Sequence, residues 1–293
     1  MFRSGGASCP GETPLFICSS GMKNILSIDC EEAFCAHNME RILPRETWHT
    51  LPLRIEANVV RLLELFDTFH CEATFFVLGW IAERLPHLVK EISERGHEIA
   101  THGYSHTLLT AQTPEQFEAD LRKALAVTQP LIKQPIRGYR APSFTVMPET
   151  TWAYAVMERC GITYDSSVFP ISGHPEYGFP GAPLTVHQVT PKLAEVPISV
   201  VDILGRRFPA TGGAYFRILP YFLTRLLFKQ CMKQGRPVVF YLHPWEIDTE
   251  QPRYPLPFIR RWRHYNNLGR TEQRLHRMVA EFPFTSFRKA LSQ

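Results

Sequence analysis

His102 and His106 stand four residues apart in the stretch ATHGYSHTLL. Two neutral imidazoles and one carboxylate form a ligand set suited to a catalytic divalent ion, with coordination positions left open for water and substrate. Carboxylates are supplied early in the chain, in IDCEE, by Asp29, Glu31 and Glu32. If that stretch is extended, Asp29 and Glu31 project to one side, because residues i and i+2 of a strand share a face. One acid would then bind metal and the other stay free as a base. Glu32 competes with Glu31 if the chain has already left the strand. Further ionisable groups fall in short motifs: Arg140 in YRAPSF, Asp165 in YDSS and His243 in LHPW.

These groups need a frame, and the apolar pattern provides one. NILSID (24–29) is a short apolar run, and RIEANVVRLLELFDTF (54–69) follows with apolar residues at helical spacing. The alternation continues with strands at ATFFVLG, HEIATHG, IRGYRAP, ITYDSS, AEVPISVV and PVVFYLHP. Helices are expected over 80–95, from Pro114 behind a Thr113 cap, from about Pro148, over LPYFLTRLLFKQCMKQG and over 271–281. Strands alternating with helices imply a parallel sheet, and seven such units favour a distorted (β/α)7 TIM-like barrel over an open doubly wound sheet. In such a barrel the chemistry sits at the carboxyl ends of the strands. Five of the seven expected strands end in Asp29–Glu32, His102, Arg140, Asp165 and His243. No glycine-rich loop follows the first strand, which argues against a nucleotide-binding fold.

The chain has 293 residues, 44% hydrophobic and 20% charged, the composition of a globular protein. No apolar run is long enough to cross a bilayer. Residues 1–21, rich in Gly, Ser and Pro, read as a disordered leader without a signal peptide, and Met22 is a second candidate start. Residues 22–293 read as a single barrel domain that includes a basic extension over about 246–293. The seven cysteines contain no Cys-x-x-Cys pair and read as free thiols of a cytoplasmic protein. Net charge is +4, yet residues 253–293 hold nine Lys or Arg against two acids. That tail reads first as a solvated face, and second as a peripheral contact with an acidic polymer or an anionic membrane surface. No nucleic-acid motif accompanies it.

Taken in order, the motifs resemble those of the polysaccharide deacetylases, carbohydrate esterase family four of the nodulation-protein type. Asp29-Cys30-Glu31-Glu32 resembles the family's Thr-Phe-Asp-Asp-Gly motif, and His102 to His106 its His-x-x-x-His motif. Arg140-Ala141-Pro142-Ser143-Phe144 resembles its Arg-Pro-Pro-Tyr motif, and Leu242-His243 its closing motif. YDSSVFP, GGAYFRILPY and HYNNLGRTEQRL are similar to a subgroup associated with exosortase and exopolysaccharide loci. The resemblance implies removal of N-acetyl groups from amino sugars of a polysaccharide or oligosaccharide. Its implied ligands for one divalent ion are Glu31, His102 and His106, with zinc first and Co, Ni, Fe or Mn also suited. Asp29 is then the base, Arg140 its orienting partner and His243 the proton donor to the leaving amine. Asp165, or alternatively Asp202, would tune His243. The Ser143 N–H is the first oxyanion donor after Pro142, and Tyr139 and Trp245, with Phe144 and Tyr215, could face sugar. Two rival readings are a cyclic amide or ureide hydrolase on the same scaffold and a non-catalytic glycan-binding protein.

Overall fold

The computed structural model describes residues 23–174, 176–209 and 211–292. The expected leader over 1–21, Cys9, Cys18 and Met22 lie outside the described residues. Strand β1 (Asn24–Cys30) is buried along its whole length. Its even members, Leu26, Ile28 and Cys30, pack outward into the large apolar cluster formed with the helices. Ile25, Ser27 and Asp29 take the opposite, inner face, as the two-residue period of a strand requires. The same alternation runs through every strand that bears a site residue.

The elements that follow are α1 (Ile55–Thr68), β2 (Thr74–Val77), α2 (Gly79–Arg84), α3 (Pro86–Glu94), β3 (Glu98–Thr101) and α4 (Pro114–Thr128). Next come β4 (Gly138–Tyr139), α5 (Ala153–Arg159), β5 (Tyr164–Asp165), β6 (His187–Thr190), β7 (Leu193–Glu195), β8 (Val200–Ile203) and β9 (Arg206–Pro209). The chain closes with α6 (Gly213–Ile218), α7 (Tyr221–Lys233), β10 (Val239–Leu242), α8 (Phe258–Tyr265), α9 (Leu268–Glu281), β11 (Phe284–Thr285) and α10 (Phe287–Leu291).

Strands β10, β1, β2, β3, β4, β5 and β7 lie side by side in that order, all parallel. This is the expected seven-unit distorted barrel. Strand β6 adds antiparallel to β7 at one margin. Among the described residues β7 and β10 do not pair. Side chains span that gap instead: Ser199 Oγ accepts the Val239 N–H at 2.8 Å, and Thr211 Oγ1 donates to the Val239 carbonyl at 2.9 Å.

Two expected elements are each divided by a proline. The helix over 80–95 is α2 and α3, with Pro86 opening the second, because a proline disfavours helical backbone before it and lacks the N–H to continue a helix. The strand AEVPISVV is β7 and β8, interrupted around Pro197, which cannot donate to a ladder. Thr113 does cap α4, in a reciprocal pair with Gln116 (3.3 and 2.9 Å).

The basic tail is woven into the barrel. Strand β11 pairs in parallel with β1. Phe287 is fully buried and stacks on Tyr164 at 5.1 Å. Arg274 Nη1 donates to the carbonyls of Phe216, Arg217 and Leu219, while Arg288 and Lys289 pair with Glu72. Much of the tail's charge thus ties it to the protein. No helix among the described residues is long and apolar enough to cross a membrane.

Candidate active site

Asp29, Glu31, His102, His106, Ser143 and His243 line one open cleft of about 160 Å³ at the carboxyl ends of the strands. A larger cavity of about 540 Å³ opens at the opposite mouth, beside Glu98, Arg137 and Thr163 at the amino ends of the strands. The expected ligands, base and proton donor all line the smaller cleft instead.

Glu31 meets the histidine pair. Its Oε2 lies 2.6 Å from His106 Nε2 and 3.9 Å from His102 Nε2, and the three donor atoms fall within 4.8 Å of one another. All three side chains are buried. His102 Nδ1 sits 2.8 Å from the Arg140 carbonyl. A carbonyl only accepts, so Nδ1 carries the proton and Nε2 turns a lone pair inward. Among the described residues Oε2 has no polar neighbour closer than these imidazoles. A buried carboxylate oxygen that faces the His102 lone pair and lies 2.6 Å from His106 Nε2 completes a carboxylate and two-imidazole donor set, and these residues fit a divalent ion. Glu32 points elsewhere: its Oε1 accepts the Ile55 N–H at 2.8 Å and caps α1.

The histidine loop is shaped by two further residues. Gly103 adopts φ +74°, and a Cβ there would lie 2.9 Å from the Asp120 carboxylate. Asp120, on α4, accepts the N–H groups of Tyr104 (2.8 Å) and Ser105 (3.1 Å). This clamp turns the chain so that His106, itself at φ +55°, comes back beside His102. Ser143 and Phe144 also have positive φ (52° and 55°) on the cleft wall. Such backbone persists where its surroundings hold it, and it concentrates at functional sites.

Arg140 is completely buried, one face of its guanidinium 4.1 Å from the Phe76 ring. It donates to Asp29 Oδ1 (2.6 Å), Ser27 Oγ (2.7 Å), and the Ser166 carbonyl and Oγ (3.0 Å each). The second Asp29 oxygen lies 3.8 Å from His243 Nε2. Strand alternation thus sets a fixed cation behind Asp29 and an imidazole in front of it.

The acid beside His243 is neither of the two expected, Asp165 and Asp202, but Glu246. His243 Nδ1 and Glu246 Oε1 are 2.7 Å apart, and the same oxygen accepts the His243 N–H at 3.1 Å. Glu246 is in turn bound by Arg217 Nε at 2.5 Å, with both side chains buried. Burial raises the Glu246 carboxyl, but Arg217 and His243 outweigh it and hold it at about 2. Burial likewise lowers His243, yet the Glu246 hydrogen bond and charge, then Glu31 and Asp29, raise it to about 9. Asp165 follows the inward Tyr164 and therefore faces outward, beside Glu195 and hydrogen-bonded to Ser167 Oγ (2.5 Å). Burial raises both acids of that pair. Asp202 accepts the Gly205 N–H in the exposed β8–β9 turn.

Two expected sugar contacts also differ. Tyr139 precedes the inward Arg140 and so points outward, into an apolar cluster against Phe117. Trp245 reaches the cleft but both its faces are covered, by His243 (5.0 Å) and by His264 (4.5 Å). It braces His243 and has no face free for a sugar. Glu246 and Arg217 escaped the sequence reading. A signal existed for Glu246: His-Pro-Trp-Glu has the form of a capping box, with proline opening the turn and an acid three residues past the cap. Arg217 owes its position to Gly212, where a Cβ would meet the Tyr241 ring at 2.2 Å, so that α6 can pack closely.

Comparison with known proteins adds an independent finding. Residues 47–164 match the family model described as polysaccharide deacetylase, and residues 166–292 match a domain of unknown function (DUF3473). The peptidoglycan deacetylase of Helicobacter pylori is 33% identical over 122 residues, 42% of this chain. The chain spans 41% of the length of that relative. Among solved structures, one described as a polysaccharide deacetylase, from Mycobacterium smegmatis, has TM-score 0.60 at 18% identity, covering 98% of this chain and 93% of its own. A CE4 family pseudoenzyme from Bacillus anthracis has TM-score 0.53 at 12% identity, covering 94% of this chain and 66% of its own. These two likenesses concern the fold. Asp29 and Glu31 precede both matched segments, His102, His106 and Arg140 lie in the first, and Arg217, His243 and Glu246 lie in the second.

Proposed function

We propose that this chain, whose residues 47–164 match the polysaccharide deacetylase family model, is a metal-dependent hydrolase that removes N-acetyl groups from amino sugars of a glycan, in the synthesis of an exported polysaccharide. The observation that supports this most is the convergence of Asp29, His243 and the Glu31–His102–His106 cluster within one cleft. Glu31, His102 and His106 would hold one divalent ion, zinc first among those suited to nitrogen and carboxylate donors. When bound, such an ion supplies positive charge that polarises an amide carbonyl and acidifies water.

The chain's own groups do the proton work. Asp29 is kept in place by Arg140 and is free on the Oδ2 side to take a proton from the attacking water. His243, charged through Glu246, gives a proton to the departing amine, which is otherwise a very poor leaving group. Ser143 lies on the cleft wall, and its N–H would be the backbone donor for the oxyanion. Because β1 pairs with β2 on one side and with β10 and β11 on the other, we read the two matched segments as one catalytic unit.

An open cleft suits a chain of sugars better than a small closed ring. Acetate release from N-acetylglucosamine oligomers, measured beside hydrolysis of hydantoin and allantoin and with and without a chelator, tests the reading. It predicts chelator-sensitive acetate release and no ring opening. Ring opening without acetate release would overturn it.

A further inference from the structure

Arg263, on α8, differs from the other arginines that line or adjoin the cleft. Arg140 has Asp29 at 2.6 Å and Arg217 has Glu246 at 2.5 Å. Arg263 has no carboxylate within 4 Å among the described residues. Its nearest partners are neutral side chains: Nη2 donates to Tyr177 Oη at 3.2 Å, and Nη1 lies 3.2 Å from His174 Nε2. His174 and Tyr177 stack at 3.6 Å, and the Arg263 guanidinium sits 5.8 Å from the Tyr215 ring, so the cation is held in one direction. The acids of the cleft are engaged elsewhere, Asp29 by Arg140, Glu31 by the imidazoles and Glu246 by Arg217. Glu176 lies 3.8 Å from Arg260, the other arginine of this wall. A half-buried guanidinium without a counter-charge, on the wall of an open cleft, offers an anion a charge-assisted contact that no other group among the described residues already fills. At most two of its five N–H groups are used, which leaves donors for a planar carboxylate or a phosphate.

We propose that Arg263 selects a glycan bearing an anionic substituent, a carboxylate or a phosphate ester, on or next to the N-acetyl sugar that enters the cleft. The inference rests on the glycan reading above and narrows its substrate class. It also gives the segment of unknown function a second role beside supplying His243.

Binding by calorimetry and acetate release are measured for three tetrasaccharides: neutral N-acetylglucosamine, alternating N-acetylglucosamine and glucuronic acid, and 6-phosphorylated N-acetylglucosamine. An anionic ligand should bind wild type roughly 10-fold or more tightly than the neutral one, the scale of one charge-assisted contact. That margin should shrink with added salt, collapse in Arg263→Gln and survive in part in Arg263→Lys. The carboxylate and phosphate arms identify which anion is preferred. Equal affinity of wild type for all three, or an unchanged margin in Arg263→Gln, overturns the inference. A binding margin without acetate release overturns the hydrolase reading and leaves the anion site standing. Acetate release without a margin does the reverse.

Discussion

His243 and Glu246 are joined twice, by the imidazole Nδ1 at 2.7 Å and by the backbone N–H at 3.1 Å, both to the same carboxylate oxygen. The acid therefore fixes the ring through the turn that follows β10 as well as through its charge. Arg217 holds the other oxygen. Glu246→Gln keeps the shape but removes the charge that keeps the imidazole protonated. The expected result is a fall in kcat of roughly 10²-fold, the scale of a lost general acid, with metal content unchanged. Steady-state kinetics together with elemental analysis check it.

Asp29→Asn is expected to abolish base catalysis, lowering kcat by roughly 10²–10⁴-fold. It also leaves the fully buried Arg140 without its counter-charge. Removing one partner of a buried pair costs about 3–5 kcal/mol, so denaturant unfolding should show a clear loss of stability beside the loss of rate. An unchanged midpoint would mean that the pair is not buried as described.

Asp120 touches none of the proposed ligands yet shapes their loop. Asp120→Ala should leave the fold intact and weaken metal binding by roughly 10–100-fold, as losses among supporting groups do. A titration with zinc in competition with a chromophoric chelator measures this.

His97 supplies a pH dependence remote from the cleft. It is buried between Phe66 and Phe75, accepts the Ala73 N–H at Nδ1, and burial lowers it to about 4. The unfolded chain binds this proton near the ordinary value of 6.5, so below that value the unfolded state takes up more protons than the native one. Stability is therefore full above about pH 6.5, falls as the pH drops toward 4 and flattens below that. The loss at pH 4 approaches roughly 3 kcal/mol. Denaturant unfolding of wild type and His97→Gln between pH 7 and 4 should show that part of the slope vanish in the variant.

Much of this site can be read from strand periodicity and motif order. Asp29 beside Ser27, and Arg140 opposite them, follow from alternation along two strands that are apolar at every other position. The same rule turns Tyr139 and Asp165 away from the cleft: each is the immediate neighbour of an inward residue and so faces out. Glu246 lies in a single turn after the last strand, where no periodicity operates and only its capping geometry marks it. Arg217 and Arg263 come from α6 and α8, brought to the cleft by glycine-enabled packing and by the return of the tail over the barrel. Such long-range placement has no local pattern. Glu31 and Glu32 are adjacent and chemically alike, and only the end of β1 decides between them, turning one to the imidazoles and the other to the start of α1.

Which of Glu31 and Glu32 holds the ion is the sharpest question the cleft poses. Metal stoichiometry of purified wild type, Glu31→Gln and Glu32→Gln, measured by elemental analysis after equilibration with zinc, tests it directly. About one ion per chain is expected in wild type and in Glu32→Gln, and a strongly reduced content in Glu31→Gln. Full occupancy in Glu31→Gln, or loss confined to Glu32→Gln, would contradict it.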